Sequence, residues 1–124
     1  MLPDTPEEVL ARLIEAVEVI AVIGKGDGPR TALSTWPDPE MVRKVRRRSR
    51  TCSPLEISRA EEAMTWWPLI DDPDARRALQ YEVMCKAGGG AFAKICRNFG
   101  WKRDTTIKRN RVVLEKLSKK LILV

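Results

Sequence analysis

Apolar residues recur along this chain at helical spacing, and proline, glycine and capping residues cut the pattern into segments. Val9, Leu10, Leu13, Ile14, Val17, Ile20 and Ala21 make a wide stripe that runs to about Ile23, the mark of a helix with a broad buried face. Thr5-Pro6-Glu7-Glu8 opens it. Thr5 can cap, Pro6 suits the first helical position, and Glu8 completes a capping box. Glu7, Glu8, Glu15 and Glu18 make much of the opposite side acidic. So wide a stripe buries against the rest of the domain or against another copy of the chain, and an intrachain core is the expectation.

Gly24 to Arg30, GKGDGPR, is a loop by composition. Its GKGDG lacks the GxxxxGK[ST] spacing of a phosphate cradle and reads as a linker. Asp38-Pro39-Glu40 is a second cap-and-proline start, for a short basic helix MVRKVRRRSR whose buried candidates are Met41, Val42 and Val45. Ser53-Pro54-Leu55-Glu56 repeats the capping box. The helix behind it places Ile57, Ala60, Met64 and Trp67 on one face and stops by Pro68. Trp66 and Trp67 could form a base-stacking platform, but helical spacing next to a proline favours core packing. Asp72-Pro73-Asp74 starts a further helix, with Ala75, Ala78, Leu79, Val83 and Met84/Cys85 inward. Gly88-Gly89-Gly90 reads as a turn that resets the chain direction rather than as an anion cradle.

The last third carries the most distinctive pattern. Ala91, Ile95, Cys96 and Phe99 line one face of a short amphipathic helix ending at Gly100, where a left-handed residue is needed. A longer helix beginning near Asp104 has Ile107, Leu114, Leu117 and Leu121 on one face and basic residues over much of the rest. Two helices joined by a tight glycine-containing turn, the second cationic, spell a helix-turn-helix. The chain is thus expected to be all-α, a compact domain of about five to six helices. Residues 1–70 form an N-terminal helical part and 71–124 the helix-turn-helix, within one packed domain. The apolar tail Leu121-Ile122-Leu123-Val124 either closes the core against the first helix or joins two chains.

Composition narrows the function classes. At 124 residues, with 44% hydrophobic and 32% charged residues, the chain suits a globular protein with a real core. No apolar run approaches the roughly 18 residues of a membrane span. The start MLPDTPEEV lacks the basic region of a secretory signal, so the expected location is the cytoplasm, with no membrane partner. Cys52, Cys85 and Cys96 have no CxxC spacing and read as reduced thiols rather than a disulfide or zinc frame. Histidine is absent, which removes the commonest general base and the nucleophile pairs built on it. The expectation is a protein that is not an enzyme and holds no cofactor or metal.

Charge placement points to a polyanionic partner. The net charge is +6, yet residues 1–40 sum to −5 and residues 51–101 to −1, while 41–50 and 102–120 carry +6 each. Two basic blocks on a neutral-to-acidic body suit phosphate binding. A helix fits the major groove with its first two turns at the base edges. The base-reading candidates are therefore Arg103, Thr105, Thr106, Lys108, Arg109 and Asn110. Arginine can grip guanine, asparagine adenine, and threonine a thymine methyl group. The phosphate-binding candidates are Lys94, Arg97, Lys102, Arg111 and Lys116, with Arg43, Lys44, Arg46, Arg47 and Arg48 of the first basic block. Asp104 reads as the helix cap and Trp101 as packing between the two helices.

The run DPDARRALQYEVMCKAGGGAFAKICRNFGWKRDTTIKRNRVVLEKLSKKL resembles the helix-turn-helix of region four of bacterial sigma factors. The shared pattern is an Arg-bearing scaffold helix, a glycine break, the stretch Ile95-Cys96-Arg97-Asn98-Phe99-Gly100, and Thr105-Thr106 in a basic helix. The turn FGWKRDTT is one residue longer than the F-G-x-S-x-T-T form, and Lys102 stands where that form has a capping serine. The whole chain is similar to a small uncharacterised phage and prophage helix-turn-helix family. That similarity covers the Pro6-Glu7-Glu8 start, Trp36-Pro37, the Ser53-Pro54 helix with Trp67, and Phe99-Gly100 through Thr106. The resemblance implies a sequence-specific double-stranded DNA-binding protein, a phage or prophage transcriptional regulator in a bacterial host. The alternative is a small terminase-like DNA-recognition subunit of a packaging machine, which would form a homo-oligomeric ring. A third reading is a module that contacts RNA polymerase through a sigma-like fold.

Overall fold

The computed structural model describes residues 3–23 and 52–123. Proline stands at the first position of α1 (Pro6–Ile23), α2 (Pro54–Met64) and α3 (Pro73–Met84), where its missing N–H has no intrahelical partner to lose. The residue before each proline supplies the cap. Thr5 Oγ1 accepts from Glu8 N at 3.2 Å, and Asp72 Oδ1 accepts from Asp74 N at 3.0 Å. At α2 the box is reciprocal: Ser53 Oγ accepts from Glu56 N at 3.2 Å and Ser53 N donates to Glu56 Oε1 at 3.3 Å. The predicted starts of these three helices therefore coincide with the observed ones.

A 3₁₀ turn, Trp67–Leu69, follows α2, and a kinked turn, Cys85–Gly89, closes α3. Gly88 and Gly90 then take φ of 103° and 143°, which only glycine adopts without strain, and the chain reverses into α4 (Phe92–Phe99) and α5 (Arg103–Leu123). Five α-helices and no strand occur among the described residues, so the fold is all-α, as expected. The predicted loop 24–30 and the basic segment 41–50 lie outside the described residues.

Helix α1 is the centre of the molecule, packing on α2, α3 and α5. Val9, Leu13, Ala16 and Val17 are fully buried, and Val19, Ile20 and Ala21 nearly so. Burial of each such Val or Leu contributes about 1.5–3 kcal/mol. The stripe is wider than its spacing predicts, since Ala16 and Val19 are buried as well, and it is covered by the chain's own helices. Arg59–Glu15 and Arg12–Glu62 ion pairs, the latter at 2.9 Å, join α1 to α2 along the outside. Trp66 and Trp67 are core residues, which excludes the base-stacking platform. Leu121 is also buried in this cluster, so the start of the apolar tail closes the intrachain core.

Helix α3 departs from its predicted single inner face. Every residue from Leu79 to Met84 is buried, including Gln80 and Glu82. The cause is its position: α1 covers one side while α4 and α5 cover the other. No helix among the described residues is long and apolar enough to cross a membrane.

Candidate nucleic-acid interface

The turn between α4 and α5 is built by glycine and aromatics. Gly100 is left-handed, at φ 74° and ψ 22°. Its N–H donates to Arg97 O at 3.3 Å, while Trp101 N–H donates to Cys96 O at 2.7 Å. These two bonds are the Schellman closure that satisfies the last carbonyls of a helix. Phe99 stacks on Trp101 with centroids 4.8 Å apart, and both rings lean on Tyr81 of α3 at 5.3 and 6.3 Å. Arg77 of α3 places its guanidinium 4.9 Å from the centre of the Phe99 ring, a cation–π contact. Trp101 therefore packs in the turn, as expected. Arg77 and Tyr81 join the set without any local signal, since only the tertiary fold brings α3 under the turn.

Helix α5 begins at Arg103, one residue earlier than expected. The carbonyl of Lys102 accepts from Thr106 N at 2.9 Å, so Lys102 rather than Asp104 precedes the first turn. Asp104 sits within that turn, exposed and 3.8 Å from Arg103, where its charge favours the positive end of the helix dipole.

The outer face of α5 is a basic ridge. Thr105, Lys108, Arg109, Val112, Lys116 and Lys119 follow helical spacing and are all exposed, opposite the buried Leu114, Leu117 and Leu121. Lys94 and Arg97 on α4, with Lys102 in the turn, are exposed beside it. Among the described residues, none of these cations forms an ion pair. Arg109 borders two clefts of about 360 and 320 Å³, one on each side of its turn of α5.

Three expectations are corrected. Thr106 is only 6% exposed and its hydroxyl donates to Lys102 O at 2.8 Å, so it faces the interior and cannot touch a base. Asn110 is 1% exposed; its Nδ2 donates to Glu82 Oε1 at 2.8 Å and to Ala78 O at 3.3 Å, so it is bound to α3 instead of being offered outward. Arg111 is exposed but paired with Glu7 of α1 at 2.7 Å, on the flank of α5 rather than its ridge. Arg103, Thr105, Lys108 and Arg109 remain exposed on the first two turns. Arg43, Lys44, Arg46, Arg47 and Arg48 lie outside the described residues.

The thiols of Cys85 and Cys96 are both pushed above the ordinary cysteine value. Burial pushes Cys85 up to about 11, helped by Cys96 and Glu82. Burial also raises Cys96, with Arg103 pulling the other way and Glu82 adding to the rise. Compared with protein families, curated proteins and solved structures, the chain matches none.

Proposed function

We propose that this protein binds double-stranded DNA and reads its sequence with the first turns of α5, as a phage or prophage transcriptional regulator. The observation that carries the proposal is the ridge of exposed cations on α5 that form no ion pair among the described residues, with Lys94, Arg97 and Lys102 exposed on the preceding helix and turn. Cations left without carboxylate partners are available to replace the counterions of a phosphate backbone. The core behind α5 and the aromatic brace under its turn hold this helix against the rest of the domain.

Roles divide by position. Arg103, Thr105, Lys108 and Arg109 lie on the turns that would reach base edges, and Lys94, Arg97, Lys102 and Lys116 would hold phosphates. Selection from random duplexes followed by sequencing tests the reading: a recovered consensus supports it, and recovery of random sequence rejects it. Arg109→Ala is expected to weaken binding to that consensus by about 1–3 kcal/mol and relax one base position.

A further inference from the structure

We propose that the buried Asn110–Glu82 pair is a positioning device that fixes the rotation of α5 on α3 and so decides which side chains of α5 meet the duplex. The inference rests on the DNA-reading proposal above. Its starting point is how differently the two halves of α5 are held. The C-terminal half is seated by Leu114, Leu117 and Leu121, whose aliphatic contact is non-directional. Its buried Ser118 bonds within its own turn to Glu115 O, and its one directional link outward is at the far end, Lys120 Nζ to Leu69 O at 2.6 Å and to Asp71. The N-terminal half, which would enter the groove, turns polar residues inward instead, Thr106 and Asn110. Thr106 spends its hydroxyl on its own turn, so Asn110 supplies the directional link.

The geometry of that link is a clip. Both donors of the Asn110 amide are used, on Ala78 O at 3.3 Å and on Glu82 Oε1 at 2.8 Å. These acceptors stand one turn apart on α3, and Lys86, a turn further on, holds the other Glu82 oxygen at 3.2 Å. Ala78, Glu82 and Lys86 thus form one ridge, and Asn110 grips it at two points. Sliding α5 by half a turn, or rolling it to bring a neighbour to this place, breaks both bonds and leaves the buried Glu82 carboxylate with Lys86 as its remaining partner. The amide cannot be reversed, because its oxygen would then face a carbonyl and a carboxylate.

The clip is not built for stability. Asn110 Oδ1 is buried with no hydrogen-bond partner among the described residues, a cost that an apolar residue of similar size would not incur. Replacing a buried polar pair by apolar side chains is often neutral or stabilising. A role in stability and a role in register therefore predict different outcomes for the same variant.

The test is the double variant Glu82→Met/Asn110→Leu, measured for unfolding midpoint and for binding to the selected consensus and to random duplex. It is expected to unfold at or above the wild-type midpoint and to keep its affinity for random duplex. The ratio of consensus to random affinity should fall by about tenfold or more, the scale of a misplaced base contact. The single Glu82→Gln variant keeps an acceptor for Asn110 and is expected to hold the ratio within about threefold. An unchanged ratio in the double variant, or a collapsed one in Glu82→Gln, overturns the inference while DNA reading stands. A wild-type protein that binds consensus and random duplex alike overturns the DNA-reading proposal, and this inference with it.

Discussion

Arg111 of α5 and Glu7 in the first turn of α1 are joined by an ion pair of 2.7 Å, each side chain 65% exposed. A pair so open to solvent contributes at most about 1 kcal/mol to stability. Its consequence is directional: the guanidinium is drawn toward α1, away from the ridge of Lys108, Arg109 and Lys116. Arg111→Ala is therefore expected to change stability by less than about 1 kcal/mol and to leave the salt dependence of duplex binding nearly unaltered. Lys116→Ala should lower that slope by about 1, the loss of one phosphate contact. Binding titrations across a salt series check both, and equal slopes for the two variants would return Arg111 to the phosphate contacts.

Gly100 offers a cleaner separation of strain from crowding. A Cβ added there meets nothing within 4 Å, yet its φ is +74°. The cost of Gly100→Ala is then the backbone term alone, about 1–2 kcal/mol. Asparagine tolerates this conformation better than alanine, so Gly100→Asn should lose less. Denaturant unfolding of the two variants measures the order, and a larger loss for asparagine would mean that hidden crowding, not φ, sets the requirement for glycine.

The elements that sequence reveals and those it hides differ in the range of the interactions that make them. The caps at Thr5, Ser53 and Asp72 act over two or three residues, and a short window contains everything they need. The faces of α1 and α5 are readable for the same reason, since periodicity repeats locally. Asn110 shows the limit. Its spacing to Leu114, Leu117 and Leu121 places it on the buried face of α5, but an asparagine there is sensible only with a partner, and Glu82 lies 28 residues away. Residue type suggested a base reader, whereas the tertiary fold made it a clip. The complete burial of α3 from Leu79 to Met84 is hidden likewise, because a helix with neighbours on two sides shows no single apolar stripe.

Thr106 gives a direct contrast with the ridge. Its hydroxyl bonds only to Lys102 O, and that same carbonyl also accepts the Thr106 N–H. Thr106→Val leaves the carbonyl satisfied and places a methyl group where the oxygen was. The expected cost is about 1 kcal/mol or less, with the recognised duplex sequence unchanged. Repeating the selection from random duplexes on this variant checks the point; an altered consensus would show that residue 106 reaches a base after all.

Cys85 makes stability fall in alkaline solution. Its ionisation in the folded protein is pushed up from 9.0 to about 11, chiefly by burial. Between those values the unfolded chain has released the thiol proton while the folded chain keeps it. The unfolded state then binds fewer protons, so stability declines as pH rises, beginning near pH 9 and levelling near pH 11. Cys85→Ala removes this contribution, and the difference between variant and wild type isolates it from every other group that titrates there. Urea midpoints measured for both from pH 8 to 11 should converge toward, or cross in favour of, the variant. Parallel curves would mean that the folded thiol ionises as freely as the unfolded one and is not shielded by burial.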